Sequence, residues 1–217
     1  MFFQKDYILR MIEMMGDLMR RIKELMDDLS RMRLLEDACH KHCGISLETA
    51  QGLTAQSLAA LLPPMPRLMM SEILYIRANA FSLPTDQQEE LLYRSLCLLA
   101  SLWSEGPLCE ARAQRLLELK EAVGNRLSGE ELMDCARFFF EAEAYGPMED
   151  ALFQAVGDGV TGLPDPQDEA CRERIAQGAD MLRKAAEATP EALAFAGCGR
   201  EELLLSALEL ESLGEQG

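Results

Sequence analysis

The sequence predicts an all-α protein, and three observations carry that expectation. Ile8, Met15, Ile22 and Leu29 fall at one position of a seven-residue repeat, and Met11, Leu18, Leu25 and Met32 fall three residues later. The rest of the chain is divided by Gly-Pro pairs and by Ser/Thr residues followed three positions later by Glu or Gln, which are helix stop and start signals. No window alternates apolar and polar residues between hairpin turns.

The first helix is expected from about Phe3 to His42, where Gly44 offers a left-handed stop. At about 1.5 Å per residue it would be roughly 60 Å long, against a radius of gyration of about 17 Å for a compact chain of this size. It must therefore project from the body or break, with Ser30 the nearest place for a break. Two short helices follow, Ser46 to Gln51 and Thr54 to Leu62. Pro63, Pro64 and Pro66 forbid a continuous helix there and suggest a hinge, so the chain divides into an N-terminal amphipathic arm, 1–62, and a body, 63–217.

In the body, Arg67 to Phe81 is apolar at Leu68, Met69, Ile73, Leu74 and Ile76. Thr85 with Gln88 reads as a capping box opening a helix to Trp103, and Gly106-Pro107 starts the next, which stops before Gly124. Ser128 with Glu131 is a second capping box, for a helix to Ala144, and Gly146-Pro147 repeats the stop and start. Residues 157 to 166 hold three Gly and two Pro, a loop, after which Asp165 and Pro166 can start a helix to about Glu187. Thr189-Pro190 starts a short helix, and Arg200 to Leu213 closes the series.

The turn at Gly106, Pro107, Glu110 and Ala111 recurs forty residues on as Gly146, Pro147, Asp150 and Ala151, which suggests repeated antiparallel helix pairs. Residues 129–157 resemble a tetratricopeptide repeat. Ala136 and Ala155 stand at its small positions, Phe139 and Tyr145 at its aromatic ones, and Met148 departs from the small residue expected there. The run from Gln4 to Met15, centred on Asp6, Tyr7, Ile8, Leu9, Arg10, Met11, Ile12 and Glu13, resembles the opening of an uncharacterised family of Firmicutes proteins. That family joins such a helix to tetratricopeptide-like helices. The two resemblances imply a tetratricopeptide-like helical repeat array and no particular activity.

The net charge of -16 is unevenly spread: residues 1–43 are balanced, and the excess of acid falls on residues 44–217. An acidic body repels phosphate backbones and anionic headgroups, so nucleic acid is excluded as a partner and any charge-steered partner is basic. The bland reading of the same charge is solubility. The seven cysteines are odd in number and follow no framework spacing, as expected of reduced thiols. Lys5, Asp6, Arg10 and Glu13 interrupt any signal-peptide core, and no uncharged run approaches the roughly 20 residues of a membrane span. These features imply a cytoplasmic protein without stable membrane insertion.

Three residue groups are candidates for a site. The heptad seam of Ile8, Met11, Met15, Leu18, Ile22, Leu25, Leu29 and Met32 could dock a protein or a second copy of the chain, and its methionines suit varied partners; the competing expectation is that this face is simply buried, against the body or another copy. Acids accumulate from Glu141 to Glu169 with no basic residue between Arg137 and Arg172, so Phe139, Glu143 and Tyr145 could line a groove for a basic peptide; equally, the aromatics are core and the acids solvated. Cys39, His42 and Cys43 share a helix face at spacings of three and four and could hold zinc or sense redox state; equally, they are a helix end with packed thiols.

No phosphate-binding, dinucleotide, nucleophile-elbow or HExxH pattern occurs, and both histidines sit at one helix end, so no enzyme and no cofactor is expected. The expected function is a protein- or peptide-binding helical scaffold with a docking or oligomerisation helix, whose partner is another protein, a peptide or a second copy of the chain. The alternatives are a metal- or thiol-dependent sensor using Cys39, His42 and Cys43, and a helical enzyme of unrecognised type.

Overall fold

The computed structural model describes residues 2–157 and 167–215. Apart from Gly157, the loop expected at 157–166 lies outside them, with its acids Asp158 and Asp165 and the expected Asp165/Pro166 start. The fold is all-α, with no strand among the described residues and no helix there long and apolar enough to cross a membrane. By contacts within the chain it forms two compact units, Met1–Gly124 and Asn125–Gly217.

The first unit opens with α1 (Phe2–Glu24) and α2 (Asp28–Cys43). The single long helix expected from the heptad is thus two, and the break falls at residues 25–27. Asp27 ends one helix by beginning the next: its carboxylate accepts the Ser30 N–H at 2.8 Å as an N-cap. Arg31 takes the Leu25 carbonyl at 2.9 Å, which satisfies the C-terminal side of the break. Gly44, at φ 73°, stops α2 as its sequence position suggests.

Two short helices follow, α3 (Leu47–Gly52) and α4 (Ala55–Leu61), N-capped by Ser46 and Thr54. The proline cluster then begins a helix rather than making a hinge. Pro63 is the N-cap of α5 (Pro64–Ala80), and Pro64 and Pro66 occupy its first turn. N–H groups there have no intrahelical acceptor, so proline removes nothing. The expected arm boundary at 62/63 therefore lies inside the first unit.

Helix α6 (Thr85–Ala100) returns antiparallel to α5. The register is legible in two contacts: Ser71 and Ser95 donate to each other's carbonyls at 2.8 and 2.9 Å, and Gln88 Nε2 donates to the Ala78 carbonyl at 3.1 Å. Seven residues forward on α5 are seven back on α6. The Thr85/Gln88 capping box does not form: the Gln88 N–H donates to the Pro84 carbonyl at 3.0 Å, so Thr85 already lies inside the helix and the N-cap position falls on Pro84, whose ring carries no hydrogen-bond acceptor. Helix α7 (Gly106–Val123) completes the unit, and α1 lies against α5 and α7 with Ile8, Met15, Leu18 and Ile22 all under 10% exposed.

In the second unit, α8 (Gly129–Glu141) has its full capping box, with Ser128 N–H donating to Glu131 at 2.8 Å and Glu131 N–H to Ser128 Oγ at 3.3 Å. Glu143, at φ 55°, turns the chain into α9 (Tyr145–Val156). Ala136, Phe139, Met148 and Ala155 are fully buried in this hairpin, and Phe138 meets Phe139 edge to face at 6.4 Å. Helix α10 (Glu169–Ala186) is capped by Asp168. A Cβ on its Gly178 would stand 2.7 Å from Leu210 of the last helix, so absence of a side chain there sets how closely the helices approach. The short α11 (Pro190–Ala196) and then α12 (Arg200–Glu215) end the described chain, α12 lying along α10.

Arginines close several of these helices. Arg94 of α6 is 7% exposed and donates to the carbonyls of Ala50 (2.8 Å), Gln51 (3.3 Å) and Leu53 at the end of α3. Arg67 takes the Leu62 carbonyl after α4, Arg174 the Ala155 carbonyl of α9 at 2.8 Å, and Arg200 the Ala186 carbonyl of α10 at 2.8 Å. A guanidinium satisfies the orphan carbonyls of a helix end and opposes the negative end of its dipole.

Candidate functional site

The heptad seam faces inward. Ile8, Met15, Leu18 and Ile22 belong to the core of the first unit, Met11, Leu25 and Met32 are half-buried, and Leu29, beyond the break at Asp27, is 64% exposed. A surface that already covers α5 and α7 is not open to a partner while α1 stays packed. The break also turns the last members of the seam onto another helix, so the eight residues do not form one stripe.

Cys39 and Cys43 are buried one turn apart on α2, and the Cys43 thiol also points to the Pro66 carbonyl at 3.5 Å. The hydrogen bond between the thiols lowers the pKa of Cys39 against its burial, and with burial raises that of Cys43. Burial, with Lys41 beside it, holds His42 below its ordinary pKa. Glu36, the nearby carboxylate, is engaged by His40 Nε2 at 3.1 Å and by the Leu47 N–H at 3.0 Å. Among the described residues no three His, Cys, Asp or Glu side chains are grouped to hold a metal ion.

Phe139 and Tyr145, expected to line a peptide groove, are core residues at 0% and 5% exposure, whereas Glu143 is exposed at the α8–α9 turn. The three do not share a surface. Nearby acids have structural work: Glu149 accepts the Ser206 hydroxyl, and Asp168 caps α10.

Two surface features were not singled out from the sequence. An open cleft of about 580 Å³ in the first unit is lined by Gln51, Arg77, Asp86, Gln87, Glu90 and Leu91. Burial lowers the pKa of Arg77, whose Nε and Nη1 have no hydrogen-bond partner. The lining mixes one cation with two carboxylates and includes no hydroxyl, thiol or imidazole that could act as a nucleophile or as a base near neutral pH.

The second feature is the outer side of α12. Leu203, Ala207 and Leu210 are fully buried, while Leu204, Leu205 and Leu208 are 41%, 65% and 59% exposed. At about 100° per residue the exposed leucines lie on the side opposite the buried ones, so the helix carries a second, outward apolar strip beside its glutamates. That pattern was the available signal; the run Leu203–Leu204–Leu205 reads as core until the fold shows that only one of its sides is covered. No protein-family model, no curated protein and no solved structure matches the chain.

Proposed function

We propose that this protein is a non-catalytic, cytoplasmic helical scaffold that binds another polypeptide, with tetratricopeptide-like helix pairs as its frame. The observation that carries this reading is the uncovered face of α12, where three leucines within five residues stand in solvent on a helix held in place from behind. An apolar strip on a rigid helix is a common way for one helix to receive another. The reading moves the docking element from the α1 seam to α12, because the seam is already occupied within its own unit.

The test is quantitative capture from extract of the source cells with the wild-type chain and with L204Q/L205Q/L208Q. Glutamine is a good helix former, and Leu204, Leu205 and Leu208 are 41%, 65% and 59% exposed, so the variant should stay folded with a melting temperature within a few degrees of wild type. Proteins recovered by the wild type should be depleted by the variant. Recovery of the same set at the same level would overturn the α12 assignment.

A further inference from the structure

The face of α12 has a charge pattern that selects its occupant. After Arg200 the helix carries no Lys or Arg, while Glu201, Glu202, Glu209 and Glu211 lie along it. Glu202 Oε2 accepts the Gly199 N–H at 3.1 Å, and Glu211 pairs with Arg183 at 2.5 Å. Glu201 and Glu209 are exposed, and no ion pair engages either among the described residues. By helical rotation Glu201 lies on the leucine face one turn before Leu205, and Glu209 lies at its edge one turn after.

Three occupants can be weighed against that pattern. A second copy paired antiparallel about Leu205 sets Glu201 of one chain against Glu209 of the other. A parallel pair sets like against like, so either arrangement brings uncompensated carboxylates together at a desolvated seam. An anionic lipid surface meets the same repulsion, and the face lacks the basic flank that such helices use. A helix with an apolar stripe flanked by Lys or Arg covers the leucines and supplies the missing counter-charges.

Resting on the scaffold reading above, we infer that the outer face of α12, Leu204, Leu205 and Leu208 between Glu201 and Glu209, docks a basic amphipathic helix of a partner protein. The leucines provide the affinity and the glutamates the choice of partner.

The test uses fluorescence anisotropy of the full chain with two labelled synthetic helices of about 18 residues, long enough to be helical in water, with the same leucine stripe and either Lys or Glu on its flanks. The Lys probe should bind saturably and about tenfold tighter than the Glu probe, the effect of two or three rim charge pairs. L204Q/L205Q/L208Q should abolish binding of the Lys probe. E201Q/E209Q, with an unchanged far-ultraviolet spectrum, should bring the two probes together.

Equal binding of the Lys probe to wild type and to the leucine variant would overturn the inference in favour of diffuse attraction to an acidic chain. So would equal affinity of the two probes for the wild type, or no binding of either. Sedimentation as a dimer that the leucine variant dissolves would replace the partner helix by a second copy. If the Lys probe fails while the leucine variant still loses partners in the capture experiment, the partner chemistry is wrong and the scaffold reading stands.

Discussion

Arg112 of α7 brings its Nε to 3.0 Å from Oε1 of Glu72 on α5, at a place where the Glu72 side chain is only 4% exposed. Arg115 approaches the same oxygen at 3.5 Å and lays its guanidinium 3.6 Å from the centre of the Tyr75 ring. The approach to Glu72 is close but misaligned, for neither Nε makes a hydrogen bond to that oxygen. One carboxylate thus serves two part-buried cations by Coulomb attraction, and burial lowers the pKa of Arg112 against the pull of Glu72.

Glu72→Gln keeps the volume and removes the charge, leaving two part-buried guanidinium groups without their shared counter-ion. It should destabilise the first unit by about 3 kcal/mol. Urea denaturation of the variant measures this; a loss below about 0.5 kcal/mol would mean that water already screens the cluster.

Arg94→Met should cost about 3 kcal/mol, since three carbonyls at the end of α3 lose a charged donor in a buried place. Arg94→Lys retains the charge but cannot reach all three, and should recover roughly half of that loss by the same denaturation measurement.

Ile22 and Leu29 occupy the same heptad position, yet the first is fully buried and the second 64% exposed. Ile22→Ala should cost about 3 kcal/mol and Leu29→Ala under about 0.5. Equal costs would mean that the seam continues past residue 25 as one surface.

Glycine to alanine should change sign along the chain. Gly16, exposed on α1, has open space where a Cβ would go, and Gly16→Ala should stabilise by about 0.5–1 kcal/mol. At Gly129 the new Cβ would meet the Ala155 carbonyl oxygen and Arg174 Nε, each at 2.8 Å, so Gly129→Ala should cost roughly 1–2 kcal/mol by displacing the arginine that closes α9. Thermal unfolding of the two variants side by side reads the difference.

Asp134 on α8 is held above its ordinary pKa by burial, although Arg137 at 2.7 Å pulls the other way. The folded state therefore holds this proton more tightly than the unfolded chain. Stability contributed by the site is present below the unfolded pKa and falls as pH rises through the folded one. The stability difference between Asp134→Asn and wild type should move in favour of asparagine across that window and then stay level. A difference independent of pH from 3 to 7, the range spanning an ordinary and a raised aspartate, would refute it.

Ser46, Thr54, Ser128 and Thr189 cap helices where a short polar side chain before an apolar run suggests it, because a cap is a contact between neighbours in sequence. Thr85 is no cap because the helix starts one residue earlier, where the Pro84 carbonyl takes the Gln88 N–H at 3.0 Å. The candidate site was less legible still. Phe139 and Tyr145 are aromatic whether they line a groove or fill a core, and only the packing of α8 against α9 decides between them.

Local hydrogen bonding, side-chain periodicity and charge are enough to make this chain helical, to start most of its helices where they start, and to put the excess of acid beyond residue 43. Tertiary structure alone decided that the heptad seam breaks at Asp27 and covers α5 and α7, that arginines from distant helices close α3 and α9, and that Leu204, Leu205 and Leu208 stay in solvent. A leucine carries the same drive for burial at every position. Whether that drive is met depends on which other helix arrives beside it, and no local pattern contains that.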